Sequence, residues 1–259
     1  MSALSSVAQT PDDSVRLVEA ISKEPPFGIF KDNYFITGAP IGATPTRINA
    51  DAKFQISFRH RLTDRVLPFG TYLFLTYTQR SFWDIYQESS PFAETNYNPG
   101  LGLGKLLFQN GKLDAFILFQ LEHESNGLPT ESSRSWNSVS VSYLKFVNNA
   151  LLVGLKAWLP FGYTTDNDDL IQYIVYQELT AHWRITNRLL LDVQTRKAAD
   201  WNWRGSIQTG LSYQVNKNAN QYLYLQWWQG YAESLITYEQ SSSMLRFGIT
   251  IKPVFPSYY

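Results

Sequence analysis

The chain holds three histidines, His60, His123 and His182, and no cysteine, so thiolate nucleophiles, thiolate metal sites and disulfides are excluded. His123 stands two residues before Ser125, and in a strand two such side chains share a face. That face continues through Ala115, Ile117, Phe119 and Leu121, whereas Gln120, Glu122 and Glu124 take the other. Beyond a loop over 126–136, Asn137 opens a second run in phase with Val139, Val141 and Tyr143. A short connection makes consecutive strands neighbours, so Ser125, His123 and Asn137 converge on one apolar face. Those types suit acyl transfer: the imidazole takes the serine proton and returns it to the leaving alcohol. The third group holds the imidazole tautomer by accepting from a ring N–H. An asparagine carbonyl can do so, with less support for imidazolium than a carboxylate gives. Serine and asparagine are also ordinary loop residues, and spacing alone leaves that alternative open. His60 and His182 lack a serine or acid at a useful spacing and are given no catalytic role.

The elements that must position these residues read as strands. From residue 33 about twelve segments alternate with period two: 33–38, 52–62, 71–83, 98–108, 114–125, 137–147, 150–160, 170–185, 188–196, 204–215, 220–233 and 243–252. In one, Phe54, Ile56 and Phe58 oppose Lys53, Gln55, Ser57 and Arg59. In the last, Leu245, Phe247, Ile249 and Ile251 oppose Arg246, Gly248, Thr250 and Lys252. Asn110-Gly111, Asn148-Asn149 and 216–218 supply turn chemistry between them. An even number of antiparallel strands, apolar on one face and polar on the other, suits a closed barrel in lipid. Trp83, Tyr86, Trp158, Tyr163, Trp201, Trp203, Trp227, Trp228 and Tyr231 fall near segment ends, as interfacial aromatics do. A soluble β-sandwich also alternates, but its strands usually run five or six residues. Runs such as Ala115–Phe119 are too short for a membrane helix, which needs about 20 apolar residues.

Acidic and basic residues balance at 22 each and charged residues make up only 17%, with 15% aromatic. Such a chain is neither a nucleic-acid binder, which needs a basic face, nor disordered. Residues 1–32 read as an extended or partly disordered leader with a possible short helix at 15–22, and 33–259 as one barrel domain. Met1–Thr10 lacks the basic start and apolar core of a secretory signal. That fits a chain that stays where it is made, or a processed or recombinant one; the barrel pattern favours the second. Asp166–Asp169 could bind a cation but reads more simply as a loop. Gly100, Gly102 and Gly104 alternate on one strand face without marking a phosphate loop.

His123-Glu-Ser-Asn-Gly127 followed by Ser133-Arg-Ser-Trp-Asn137 resembles the active-site signature of the outer membrane phospholipase A family of Gram-negative bacteria. Tyr77–Ser81 with Trp83, Glu88–Phe92 and Glu94–Tyr97 is similar to that family's second block. Gly230-Tyr231 with Glu233–Ile236 is similar to a third. The resemblance spans roughly 33–252. It implies a twelve-stranded antiparallel transmembrane β-barrel of the outer membrane that hydrolyses acyl esters of phospholipids and lysophospholipids, dependent on Ca2+ and active as a homodimer. It makes Ser125 the nucleophile, His123 the general base and Asn137 the orienting group. The matching calcium ligands are the Ser133 side chain, the Leu128 carbonyl and Ser89 from the partner protomer, hard oxygens that suit calcium. Gln79 shares its face with Leu73, Leu75 and Tyr77, where an amide in lipid is costly. It reads as a dimer contact, as the resemblance also implies, or as a wet rim residue. Glu124 stands where the family usually has Asp, Leu128 where Arg is commoner, and 252–259 runs past the expected last strand. The competing class is a passive barrel or small channel, its lumen plugged by Lys53, Gln55, Arg59, Gln120, Glu122 and Arg246.

Overall fold

A computed structural model describes residues 25–63, 66–110, 112–163, 167–197, 204–216 and 220–253. The helix expected at 15–22, Trp201, Trp203 and the aromatic tail lie outside the described residues. Thirteen strands form one antiparallel sheet. They are β1 (Phe27–Ile29), β2 (Asn33–Pro40), β3 (Asp51–Arg61), β4 (Thr71–Trp83), β5 (Phe92–Gln109), β6 (Lys112–Ser125) and β7 (Ser135–Asn148), then β8 (Leu151–Phe161), β9 (Gln177–Arg184), β10 (Leu189–Lys197), β11 (Gly205–Gln214), β12 (Gln221–Gly230) and β13 (Ser242–Ile251). Each of β2–β13 pairs with its sequence neighbours. The pairing of β13 with β2 joins the two ends of the run, so twelve strands close into a barrel.

Phe27–Ile29, placed by the sequence reading in the leader, pairs instead with Phe58–His60 on the same edge of β3 that β2 occupies. It prolongs β2 across a break at 30–32. The break is pinned by backbone and side-chain bonds, Ser57 N–H to Asn33 Oδ1 at 2.5 Å and Lys31 N–H to Ser57 Oγ at 3.2 Å. The barrel therefore begins before residue 33. β5 likewise starts at Phe92 rather than 98, because Glu94 and Asn96 alternate inward and are buried. The expected strand over 170–185 splits. Ile171–Ile174 forms a helical turn burying Ile171 and Ile174, and strand geometry begins only at Gln177.

Burial is inverted relative to a water-soluble protein. The most enclosed side chains include Lys53, Gln120, Gln226, Asn96, Ser57, Ser140 and Ser212, whereas Ile56, Leu101, Leu121, Leu159, Phe247 and Ile249 stand exposed on the outer surface. Only a hydrocarbon surrounding makes that arrangement favourable. An 11-residue strand tilted roughly 40° rises about 28 Å, enough to cross an apolar band of about 25 Å. No described helix is long and apolar enough to cross a membrane.

The interior is crossed by charge pairs. Lys53 Nζ lies 3.0 Å from both Gln226 Oε1 and Glu233 Oε1. Arg246 binds Glu233 at 2.6 Å and grips Asp51 with two bonds of 2.7 Å. Lys156 and Ser140 hold Glu122, Arg196 holds Glu178, and Lys252 bridges Asp32 and Asp192. His182 does have an acid: its Nδ1–H donates to Asp192 Oδ1 at 2.6 Å, a partner that only strand register brings near. A cavity of about 150 Å³ remains between these pairs, lined by Arg80, Gln120, Glu122, Lys156 and Glu178 among others. Gly100, Gly102 and Gly104 make this packing possible. A Cβ on them would lie 2.7 Å from Thr76 Oγ1, 2.7 Å from Gln120 Cγ and 2.9 Å from the Phe74 ring.

The two barrel ends differ. At one, two-residue turns join β5 to β6 and β7 to β8, while β3–β4 is the longest connection there. At the other, the connections β2–β3, β4–β5, β6–β7, β8–β9 and β12–β13 are long, the asymmetry of outer-membrane barrels with long extracellular loops. Trp158 and Trp228, expected at the lipid interface, point inward instead. Trp158 joins Trp136, Leu170, Ile174, Ala232, Leu235 and Tyr238 in an apolar cluster at the long-loop mouth. The outer girdle is built by Trp83, Phe92, Phe54 and Phe35, whose rings pack 5.2–6.4 Å apart.

Candidate active site

β6 and β7 set His123 directly opposite Asn137 and Ser125 opposite Ser135, all at the long-loop end. His123 Nδ1 lies 2.9 Å from Asn137 Oδ1. The other side of the Asn137 amide faces β8, where Nδ2 donates to the Phe161 carbonyl at 3.5 Å. A carbonyl can only accept, so the amide oxygen is left toward the imidazole, which must then carry its proton on Nδ1. Nε2 is thereby the basic nitrogen. Ser125 follows on the same face, about 7 Å along the strand. Among the described residues its hydroxyl forms no hydrogen bond to His123. Asn98 of β5, unread in the sequence, fixes the strand beneath by donating to the His123 carbonyl at 2.9 Å. The acidic neighbour Glu124 points inward to Arg80 and to Trp136 Nε1, away from this patch.

The loop after Ser125 is organised by Asn126. Its backbone N–H continues the ladder to the Arg134 carbonyl at 3.0 Å. The buried side chain accepts from the Leu128 and Arg134 N–H groups and donates to the Ser132 carbonyl. Gly127, at φ +68°, lies flat against the Tyr97 ring, where a Cβ would come within 3.1 Å. Arg134 caps the Glu131 and Ser133 carbonyls at 2.8 Å and faces the Tyr238 ring, whose hydroxyl donates to Asp169. Burial, and then the bonds to Asp169 and Glu239, raise the Tyr238 phenol well above its ordinary range. Replacing Asn126 with alanine removes three part-buried hydrogen bonds, a loss of about 1 kcal/mol or more of loop order. Limited proteolysis of the refolded barrel should then cut within 127–134 much faster while the strands stay protected. An unchanged cleavage rate would show that the loop stands without Asn126.

The remaining expected residues are dispersed around this end. Leu128 and Ser133 sit in the same loop, with no hydrogen bond to the Leu128 carbonyl or the Ser133 hydroxyl among the described residues. Ser89 is exposed at φ +62° in the β4–β5 connection, beside Ser90, whose carbonyl accepts from Trp83 Nε1. Gln79 lies in the cross-strand row Ile56–Gln79–Tyr97–Ser125. Its amide accepts from Tyr77 OH at 3.0 Å and donates to Ser81 Oγ at 3.3 Å. Of the 166–169 stretch, Asp166 lies outside the described residues, and Asn167 bonds the Ser135 backbone at both N–H and carbonyl. No group of three His, Cys, Asp or Glu suited to a metal occurs among the described residues.

The family model for phospholipase A1 matches residues 37–251. Phospholipase A1 of Salmonella typhimurium is 34% identical over 214 residues, 79% of this chain and 71% of its own length. That of Escherichia coli K12 is 33% identical over the same span. The crystal structure of the Salmonella typhi outer membrane phospholipase dimer with bound calcium superposes with a TM-score of 0.79 at 29% identity, covering 92% of this chain and 98% of that one. An Escherichia coli active-site mutant, in which asparagine is replaced by alanine, superposes with a TM-score of 0.78 at 28% identity, over 95% and 99%. A twelve-stranded barrel with lipid outside, an imidazole–amide pair at its long-loop rim and these relatives lead to one conclusion: the chain belongs to the phospholipase A1 family and is an ester hydrolase of the Gram-negative outer membrane.

Proposed function

We propose that this phospholipase uses Ser125 as nucleophile, His123 as general base and Asn137 as orienting group, requires calcium, and acts as a homodimer on phospholipids and lysophospholipids. The observation that carries the reading is the 2.9 Å contact of His123 Nδ1 with Asn137 Oδ1, on the lipid-facing side two residues from Ser125. Ser125 Oγ attacks the ester carbonyl carbon while Nε2 takes its proton. The tetrahedral adduct collapses, the lysolipid alcohol leaves with that proton, and an acyl-serine remains. Water then attacks with Nε2 again as base, and fatty acid departs. The asparagine replaced in the Escherichia coli active-site mutant supports an amide in this role.

The loop after Ser125 fits calcium by its donor chemistry. Leu128 carbonyl and Ser133 hydroxyl are hard neutral oxygens, and a site of that kind keeps several waters. Ser89 of a second copy would complete it, in keeping with the calcium-bound dimer from Salmonella typhi. Calcium there would polarise the ester carbonyl and stabilise the oxyanion together with the Ser125 N–H. Gln79 supports dimerisation through this side: with Tyr77 and Ser81 each taking one bond, its amide still has an N–H and a lone pair to offer. In detergent micelles, hydrolysis should fall on the order of a hundredfold when calcium is replaced by chelator, and sedimentation should show dimers only with calcium. Equal turnover in chelator, or full activity from a covalently enforced monomer, would overturn the calcium and dimer parts respectively.

A further inference from the structure

We propose that Gly162, with the Phe161 carbonyl before it, is a positioning residue that selects the orientation of the Asn137 amide and so the tautomer of His123. The inference rests on Asn137 being the orienting group. An asparagine amide is nearly symmetric in shape, and either end could face the imidazole. If Nδ2 faced it, His123 Nδ1 would have to accept, its proton would sit on Nε2, and the ring would present no base to Ser125. What distinguishes the two ends is the neighbour on the far side. Phe161 is the cross-strand partner of Asn137 in β8, and its carbonyl stands 3.5 Å from Asn137 Nδ2. A flipped amide would set oxygen against oxygen there, so the carbonyl rejects the wrong orientation.

Gly162 is what allows that backbone to come so near. It leaves β8 at φ +64°, and a Cβ built on it would lie 2.7 Å from Asn137 Nδ2. Any side chain would press on the amide itself. The chain thus turns away with a residue that neither strains at this φ nor fills the space the amide occupies.

The test uses the refolded full chain carrying Gly162→Ala, Asn137→Ala, or both, with Gly162→Asn as a second variant because asparagine tolerates this φ while keeping the Cβ. Folding is followed by heat-modifiable electrophoretic mobility. Gly162→Ala and Gly162→Asn should lower kcat by on the order of ten- to a hundredfold with KM within about twofold. In the Asn137→Ala background Gly162→Ala should cost nothing more, since no amide remains to displace. Ring 15N resonances of His123 should shift from the Nδ1–H form toward a tautomer mixture in the single glycine variants. Equal losses from Gly162→Ala in both backgrounds, or an unchanged His123 tautomer, would overturn the proposal. Wild-type activity in Asn137→Ala would instead remove the orienting role on which it stands.

Discussion

Ser125→Ala is expected to lower phospholipid ester hydrolysis on the order of a thousandfold or more, with the barrel still folded. Among the described residues neither other histidine can stand in for His123 as base. His60 lies at the opposite end of β3, near the β3–β4 turn, and His182 is turned inward on Asp192. His123→Ala should cost about as much, and the double variant should be little worse than either, because nucleophile and base act as one unit. The measurement is a fixed-time fatty-acid release assay in micelles at saturating calcium. A Ser125→Ala protein retaining about a tenth or more of wild-type turnover would be too active for the proposed nucleophile, and the exposed patch would then serve only to bind lipid.

The second large effect lies inside the barrel. Glu233 comes from the β12–β13 connection yet reaches between Lys53 and Arg246, whose side chains are 0% and 2% exposed. Glu233→Ala leaves two cations close together, with Asp51, the Gln226 amide and the Tyr34, Phe82 and Trp228 rings around Lys53 left to answer them. Breaking a buried pair from one side typically costs about 3–5 kcal/mol, and here two pairs lose the same partner. Urea unfolding in detergent should show the midpoint fall with an unchanged slope. Glu233→Gln should cost less, since its amide oxygen still accepts. A loss under about 1 kcal/mol would mean that water enters and solvates the cations.

Much of this was legible in the chain because lipid forces a strict alternation. Lys53 against Phe54 and Arg246 against Phe247 declare their faces in any register. The juxtaposition of His123 and Asn137, with Ser125 on the same face, was legible through phase, since the three are short-range neighbours across a single hairpin. What escaped was set by pairing between strands distant in sequence. Nothing local says that Phe161 and Gly162 will flank Asn137, that Asn98 will hold the His123 carbonyl, or that Asp192 will meet His182. Tryptophan misled for a related reason. Near a strand end it serves a lipid interface or a packed mouth equally well, and Trp158 and Trp228 went inward because their phase follows Lys156 and Gln226. The segment over 170–185 failed where period two gave way to a helical turn that buries Ile171 and Ile174 and sends Leu170 and Ile174 into the cluster beneath the loops.

The junction of β2 with β13 has a kinetic meaning. Its partners stand far apart in the chain, and the inner ion pairs that span it are of the same kind: Arg246 with Asp51 across 195 positions, Lys252 with Asp32 across 220. Contacts of such long range form late, after loop-closure entropy has been met by nearer hairpins. Until then the unpaired edges of β2 and β13 are sticky and the lumenal charges lack partners. The last step of assembly is therefore expected to be a zipping of edge and charges together. A barrel built this way should insert slowly, in a single cooperative phase, and once shut should reopen more slowly still.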